Sequence, residues 1–334
     1  MPVIEVVGLR KEYRKLRGGR TLAVAGLDLE VPEGGVFGFL GPNGSGKTTT
    51  IRCVLGLARA TAGKTRLLGA EPARLHTVIR RVGSLVETPT FFPNFSGRRN
   101  LELLGAIDGV GRNTVERVLD RVGLGARGRD LFKTYSLGMK QRLGIGAALM
   151  KDPEVLILDE PANGLDPAGI KEVRELLRSL GQEGRTVFLS SHLLAEVQQI
   201  CDHVAILSKG TCITSGPVDD VLTAGRQAEM IVRAKNSARA ATVLEAAGFG
   251  VRAGTDDALH VTAERDDAER ITRALAAKRI YLTELRPAEV NLETVFLGLT
   301  EGAETICPNC GNLVPSGHKF CTSCGAQIAE AVEP

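Results

Sequence analysis

Three groups of residues in this 334-residue chain have types and spacings that chemistry can use. The first is GFLGPNGSGKTTT, Gly38 to Thr50, which satisfies the phosphate-loop pattern GxxxxGK[ST] from Gly41 to Thr48. Gly41, Pro42, Asn43, Gly44, Ser45 and Gly46 would turn backbone N–H groups inward around phosphate oxygens. Lys47 would set its ammonium on the outer phosphates, the Thr48 hydroxyl can ligate Mg²⁺, and Thr49, in the first turn of the following helix, completes the ATP-binding stretch. The second group is VLILDE, Val155 to Glu160, an apolar strand ending in two carboxylates. Successive strand side chains point to opposite sides, so Asp159 and Glu160 take different tasks. Asp159 is suited to hold Mg²⁺ directly or through water, and Glu160 to polarise an attacking water. Carboxylates at a strand end also occur as solvated ends or helix caps; a phosphate loop in the same chain favours the chemical roles.

The third group is CPNCGNLVPSGHKFCTSCG, Cys307 to Gly325. Two CxxCG knuckles fit a zinc ribbon in which Cys307, Cys310, Cys321 and Cys324 close a tetrahedral, structural Zn²⁺ site. Disulfides are the alternative, disfavoured because MPVIEVVGLRKEY lacks a secretory layout; four thiolates leave no vacancy for His318. One further stretch, YSLGMKQRLGIGAALM from Tyr135 to Met150, opens on Ser136-Leu137-Gly138 and then runs into a helical pattern. Ser starts helices, and a helix start offers unpaired N–H groups to an anion. Ordinary capping by Ser136 uses the same groups and stays open as a reading.

The elements that must position these residues follow from the hydropathy pattern. Up to residue 225, β-branched runs such as VFGFL, VLILDE and TVFLSS alternate with helical stretches, which predicts an α/β domain around a parallel sheet. Residues 226–300 read as βαββαβ, a small two-layer α+β sandwich of ferredoxin-like type. A linker over 301–306, the ribbon over 307–326 and a tail over 327–334 follow. Hydrophobic content of 43% with 24% charged residues is that of a globular protein, and a net charge of +3 gives no reason to expect nucleic acid as a partner. No apolar run is long enough to span a bilayer, and the expected compartment is the cytoplasm. Cys53, Cys201 and Cys212 lie in apolar patterns and read as small core residues, and His203 as structural.

With these motifs in order, residues 1 to about 225 resemble the nucleotide-binding domain of ATP-binding cassette (ABC) proteins. The resemblance implies a P-loop cassette with a helical subdomain, ATP as the nucleotide, and head-to-tail pairing of two such domains, here as a homodimer. YSLGM resembles the signature motif, departing from it at Leu137 and Met139. It implies that Ser136 and Gly138 meet the γ-phosphate of an ATP held mainly by the partner. NGLDP resembles the D-loop and implies that Asp166 lies at the dimer interface; LSSH resembles the switch motif and implies that His192 reaches the γ-phosphate. LVETP places Glu87 where the family usually has the glutamine that senses Mg²⁺. Tyr13 stands where an aromatic stacks on adenine, or is a plain surface tyrosine. The LVETP and FFPNFSGRRNL wording and the later LETVFLGLT are similar to cassettes of the bacitracin, lantibiotic and drug-export type. That subgroup implies an ATP-hydrolysing exporter subunit at the inner face of the cell membrane, driving a separate permease. A soluble ABC ATPase acting on ribosomes or DNA, and an ATP-switched interaction protein working through its ribbon, are the alternatives.

Overall fold

A computed structural model describes residues 1–14, 18–87, 89–223, 228–254, 258–288, 292, 295–296, 305–306 and 313–314. The chain divides into two compact units, Met1–Val221 with Leu292–Pro334, and Leu222–Asn291.

The first unit begins with β1 (Ile4–Arg14), β2 (Arg20–Val31) and β3 (Gly35–Leu40), followed by α1 (Lys47–Val54), β4 (Ala62–Leu67) and β5 (Val82–Leu85). A helical insertion comes next: α2 (Gly97–Asp108), α3 (Arg112–Arg121) and α4 (Leu137–Leu149). The chain then returns through β6 (Val155–Asp159), α5 (Pro167–Gln182), β7 (Thr186–Ser191), α6 (Leu194–Gln198), β8 (His203–Ser208), β9 (Thr211–Pro217) and α7 (Val218–Thr223). A six-stranded sheet has the order β5-β6-β7-β3-β8-β9, parallel except for the antiparallel edge strand β9. A smaller antiparallel sheet, β2-β1-β4, accompanies it.

Composition explains the difference between these strands. Every position of β6 and β7 is buried, as strands covered on both faces require, whereas β9 alternates between half-buried and exposed residues. The core includes Phe39, Ile51, Ile157 and Phe188, with the two phenyl rings 5.3 Å apart. Burying each such side chain contributes about 1.5–3 kcal/mol. Because β3, β6 and β7 are parallel, their C-terminal ends share one rim, with Asp159 in register with Ser190 and Leu40 with Ser191. That rim carries the chemistry. Within the insertion, a Cβ at Gly144 of α4 would come within 2.9 Å of Pro89, and one at Gly146 within 3.1 Å of Val118. Both glycines therefore let α4 lie close to its neighbours.

The second unit contains β10 (Glu229–Ala234), α8 (Ser237–Ala246), β11 (Gly250–Ala253), β12 (Leu259–Thr262), α9 (Ala268–Ala277) and β13 (Leu282–Pro287). Its antiparallel sheet has the order β11-β12-β10-β13, and one face packs with Leu244, Ile271 and Leu275 around Val232 and Val261. The βαββαβ order is that read from the sequence.

The C-terminal boundary differs from the expected one. The chain from Leu292 groups with the first unit, where the Leu292 N–H donates to Gln198 Oε1 at 2.9 Å and the Leu292 and Val295 side chains are buried. Leu292 and Val295 account for this, since apolar side chains need a core to cover them. Thr305–Ile306, expected within a linker, forms β14 and pairs with β15 (Leu313–Val314). Cys307, Cys310, Cys321 and Cys324 lie outside the described residues. Among the described residues no helix is long and apolar enough to cross a membrane.

Candidate active site

The phosphate loop leaves β3 at the rim and enters α1 at Lys47. Gly44 and Gly46 take φ of +84° and +103°, and a Cβ at Gly46 would approach the Ala23 carbonyl oxygen to 2.6 Å. A Cβ at Gly41 would likewise reach the Leu207 carbonyl oxygen at 2.6 Å. Helix α1 starts from Gly46 with no side-chain cap, so its first-turn N–H groups are suited to an external acceptor. Among the described residues, the buried Ser45 Oγ has no hydrogen-bond partner. An unsatisfied buried hydroxyl costs about 1–3 kcal/mol, and an anion seated in the loop would supply its acceptor. Pro42, Asn43 and Gly44 are exposed at the tip, and Thr48 and Thr49 are half-buried in the first turn.

The charged groups on the rim form a chain. Lys47 is 5% exposed; its ammonium donates to the carbonyl oxygens of Gly41 (2.7 Å) and Pro42 (3.3 Å) and lies 3.2 Å from Glu160 Oε1. The other Glu160 oxygen, Oε2, is 2.8 Å from His192 Nδ1. One carboxylate therefore joins the phosphate-loop lysine to the switch histidine. A buried ammonium needs such partners, and phosphate oxygens could replace them at the same donors.

Asp159 and Glu160 diverge as their adjacency predicts. Asp159 is buried, and its Oδ1 accepts from the Ser190 hydroxyl at 2.5 Å. Glu160 has φ of +51°, and its N–H donates to the same Ser190 oxygen at 3.0 Å. A left-handed conformation at a non-glycine residue costs about 1–3 kcal/mol and persists where its surroundings fix it. Ser190 was not among the residues singled out from the sequence. The available signal was a hydroxyl two positions before the histidine, near the end of a fully buried strand.

Glu87 has φ of +71°, and its exposed carboxylate pairs with Arg52 at the end of α1. Among the described residues no three His, Cys, Asp or Glu side chains converge as a ready-made cation site. The Thr48 hydroxyl and Asp159 carboxylate are nonetheless oxygen donors of the kind Mg²⁺ takes, and that ion commonly completes its shell with phosphate and water. Bound there, it would neutralise charge on the phosphates.

The signature residues gather around the start of α5. Ser136 is the N-cap of α4, its Oγ accepting from the Met139 N–H at 3.2 Å. Asp166 is the N-cap of α5, accepting from the Gly169 N–H at 3.0 Å, with Pro167 in the first turn. Leu137, standing where the family signature has glycine, lies over the D-loop: a Cβ at Gly164 would meet its Cδ2 at 3.2 Å. At Gly138 a Cβ would find nothing nearer than 3.8 Å, so packing among the described residues does not require glycine there. Tyr135 is buried, which pushes its phenol up, and the neutral hydroxyl donates to the Arg127 carbonyl at 2.8 Å. Tyr13 is 37% exposed near the end of β1, with the Lys11 ammonium 4.7 Å from its ring centroid.

A phosphate cradle at the end of one parallel strand, with an acidic pair ending a strand two places away, defines a P-loop nucleoside triphosphatase. Comparison narrows the class. Residues 24–163 match the ABC transporter family and residues 306–328 a zinc-ribbon domain. The chain is 40% identical over 308 residues to the bacitracin transport ATP-binding protein BcrA of Enterococcus faecalis, covering 90% of this chain and 97% of that protein. It is 38% identical over 217 residues to the lantibiotic transport ATP-binding protein SrtF of Streptococcus pyogenes, covering 65% and 92%. Among solved structures, cbiO1 of Clostridium perfringens, part of an ABC transporter complex, superimposes with a TM-score of 0.59 at 27% identity, covering 67% of this chain and 91% of that one. The chain belongs to the ABC transporter ATP-binding proteins and is an ATPase of that family.

Proposed function

We propose that this ATPase forms a homodimer that closes on two ATP molecules and drives a separate membrane permease as an exporter of peptide-antibiotic type. The observation that carries the reading is the Lys47–Glu160–His192 chain on a cradle with an unpaired Ser45 hydroxyl, in a chain this similar to BcrA. Gly41 to Thr49 bind the phosphates, Glu160 takes a proton from the attacking water, and His192 orients the carboxylate and meets the γ-phosphate. Thr48 and Asp159 would hold Mg²⁺, with Glu87 a further oxygen donor if it leaves Arg52, and Tyr13 would stack on adenine.

Ser136 and Gly138 of one protomer complete the ATP site of its partner, with Asp166 at the seam. The space open at Gly138 supports this role. Glycine inside a helix costs about 1 kcal/mol relative to alanine, and here no neighbour in the chain calls for it. An approaching phosphate would. The permease would dock on a groove of about 450 Å³ lined by Val86, Pro89, Phe91, Leu104 and the 82%-exposed Ile107. So docked, the protein would sit peripherally on the inner face of the cell membrane. Cys307, Cys310, Cys321 and Cys324 hold one structural Zn²⁺.

Glu160→Gln tests the chemistry and, in the same preparation, the partner. The variant should retain ATP binding and lose turnover by about 10²–10³-fold. Pull-down from detergent-solubilised membranes should recover an integral membrane protein. Unaltered turnover would refute the base assignment, and recovery of ribosomes without any membrane protein would refute the exporter.

A further inference from the structure

Ser190 stands at the meeting point of the two acidic residues, with its hydroxyl bonded to both. It is fully buried near the end of β7, beside Val187, Phe188 and Leu189, and in register with Asp159. Strand packing at this position calls only for a small side chain; a hydroxyl there needs partners or it costs stability. It has two. The hydroxyl proton goes to Asp159 Oδ1 at 2.5 Å, and the oxygen receives the Glu160 N–H at 3.0 Å. The chain N–H···O–H···O⁻ links an amide to a carboxylate through one atom, and each bond polarises the other.

The consequence for Glu160 is geometric. Its φ of +51° is the turn by which the chain leaves the extended strand, and the same residue sends its carboxylate to Lys47 and His192. An extended backbone would carry that carboxylate elsewhere. In this turn the Glu160 N–H donates to Ser190 Oγ. Asp159 is fixed from the same atom. Its Oδ1 is held by the hydroxyl, while Oδ2 and the remaining lone pairs stay available to a cation.

We propose that Ser190 is a positioning residue for ATP hydrolysis, one hydroxyl that sets both the Asp159 rotamer and the Glu160 turn. The proposal rests on the reading of Glu160 as the base. It assigns to β7 a task beyond carrying His192: the strand aligns the two acidic groups of the neighbouring strand with each other.

The test uses the full chain with Ser190→Ala, which removes the hydroxyl at nearly constant volume, and Ser190→Thr, which keeps it. Misplacement of a reacting group by about 1 Å costs up to about 10²-fold, so Ser190→Ala should lower kcat by about tenfold or more. The KM for ATP and the affinity for a fluorescent ATP analogue without divalent cation should stay close to wild type, because the phosphate cradle is untouched, while the thermal midpoint should fall, since the Glu160 N–H and a buried Asp159 oxygen lose their partner. Ser190→Thr should restore most of kcat. Wild-type kcat in Ser190→Ala would overturn the proposal. So would a parallel loss of kcat and metal-free nucleotide affinity, which marks general damage, or a folded Ser190→Thr as slow as Ser190→Ala. Should the threonine methyl prevent folding, the kcat-against-KM split of the alanine variant decides alone. Glu160→Gln run alongside separates the two failures: if it is inactive while Ser190→Ala is fully active, only the positioning role is lost.

Discussion

The starts of α1 and α4 are two helix N-termini with opposite arrangements. At α1 the preceding residue is Gly46 in the left-handed region, no side chain caps the helix, and a buried lysine is anchored beside it. At α4 the preceding residue is Ser136 in an extended conformation, and its hydroxyl is already bound to the Met139 N–H. The nearby cations are also spoken for, Lys140 lying 5.5 Å from the Phe132 ring and Arg142 donating to the Val122 carbonyl at 3.0 Å. The first start can hold a phosphate unaided. The second is satisfied within its own chain, so it can only assist at an anion that something else presents. In the proposed dimer that is the partner's nucleotide. Self-sufficiency of a helix cap is thus no argument against a role in trans, because a cap hydroxyl keeps a lone pair and a rotatable proton.

This contrast can be broken most forcefully at Lys47. Lys47→Ala removes the ammonium and leaves Glu160 with only His192, and it should reduce kcat by at least about 10²–10³-fold and weaken ATP binding in the isolated protomer. Equilibrium nucleotide binding and steady-state turnover check both. Retained ATP affinity would mean that α1 does not depend on its cation.

A smaller effect is expected at Ser136, where the two readings of the residue separate. Aspartate caps a helix as well as serine does and is favoured at an N-terminus, so Ser136→Asp should leave the thermal midpoint unchanged or raised. Its charge would repel a γ-phosphate arriving from a partner, and turnover should fall by about tenfold or more while ATP binding to the protomer is kept. A variant as active as wild type would leave Ser136 as a cap and nothing more.

The mildest change is Gly138→Ala. The chain has room for the methyl group, with no atom closer than 3.8 Å, and alanine should stabilise the helix by up to about 1 kcal/mol. Turnover should nonetheless drop several-fold if a phosphate must approach that backbone. A rise in melting temperature together with a fall in rate is the expected pair, and a rise in both would assign Gly138 no contact in trans.

Much of the site was legible because its pieces are local. A phosphate loop is eight consecutive residues whose glycines and lysine announce their conformation and charge. The VLILDE strand likewise shows its burial and its acidic end in six letters. The parallel sheet and the βαββαβ unit were readable for a similar reason, since buried strands and amphipathic helices impose their periods on the sequence. The boundary near Leu292 is harder to read, because sequence proximity attaches LETVFL to the preceding unit, whereas Leu292 and Val295 are buried and the chain from Leu292 groups with the first unit. Glu87 was legible as an anomaly, but its pairing with Arg52, 35 residues away, was not.

The sequence alone determined which groups are available: a cradle for phosphate, two carboxylates, a histidine and four paired cysteines, all encoded in short contiguous runs. Only the tertiary structure decided how they share one another. Parallel pairing of β6 with β7 sets Ser190 opposite Asp159, and closure of the rim brings Lys47, Glu160 and His192, up to 145 residues apart, onto one carboxylate. The physical reason is that strand register and buried charge pairing are long-range properties, fixed when the core excludes water and leaves each polar group to find its partner inside.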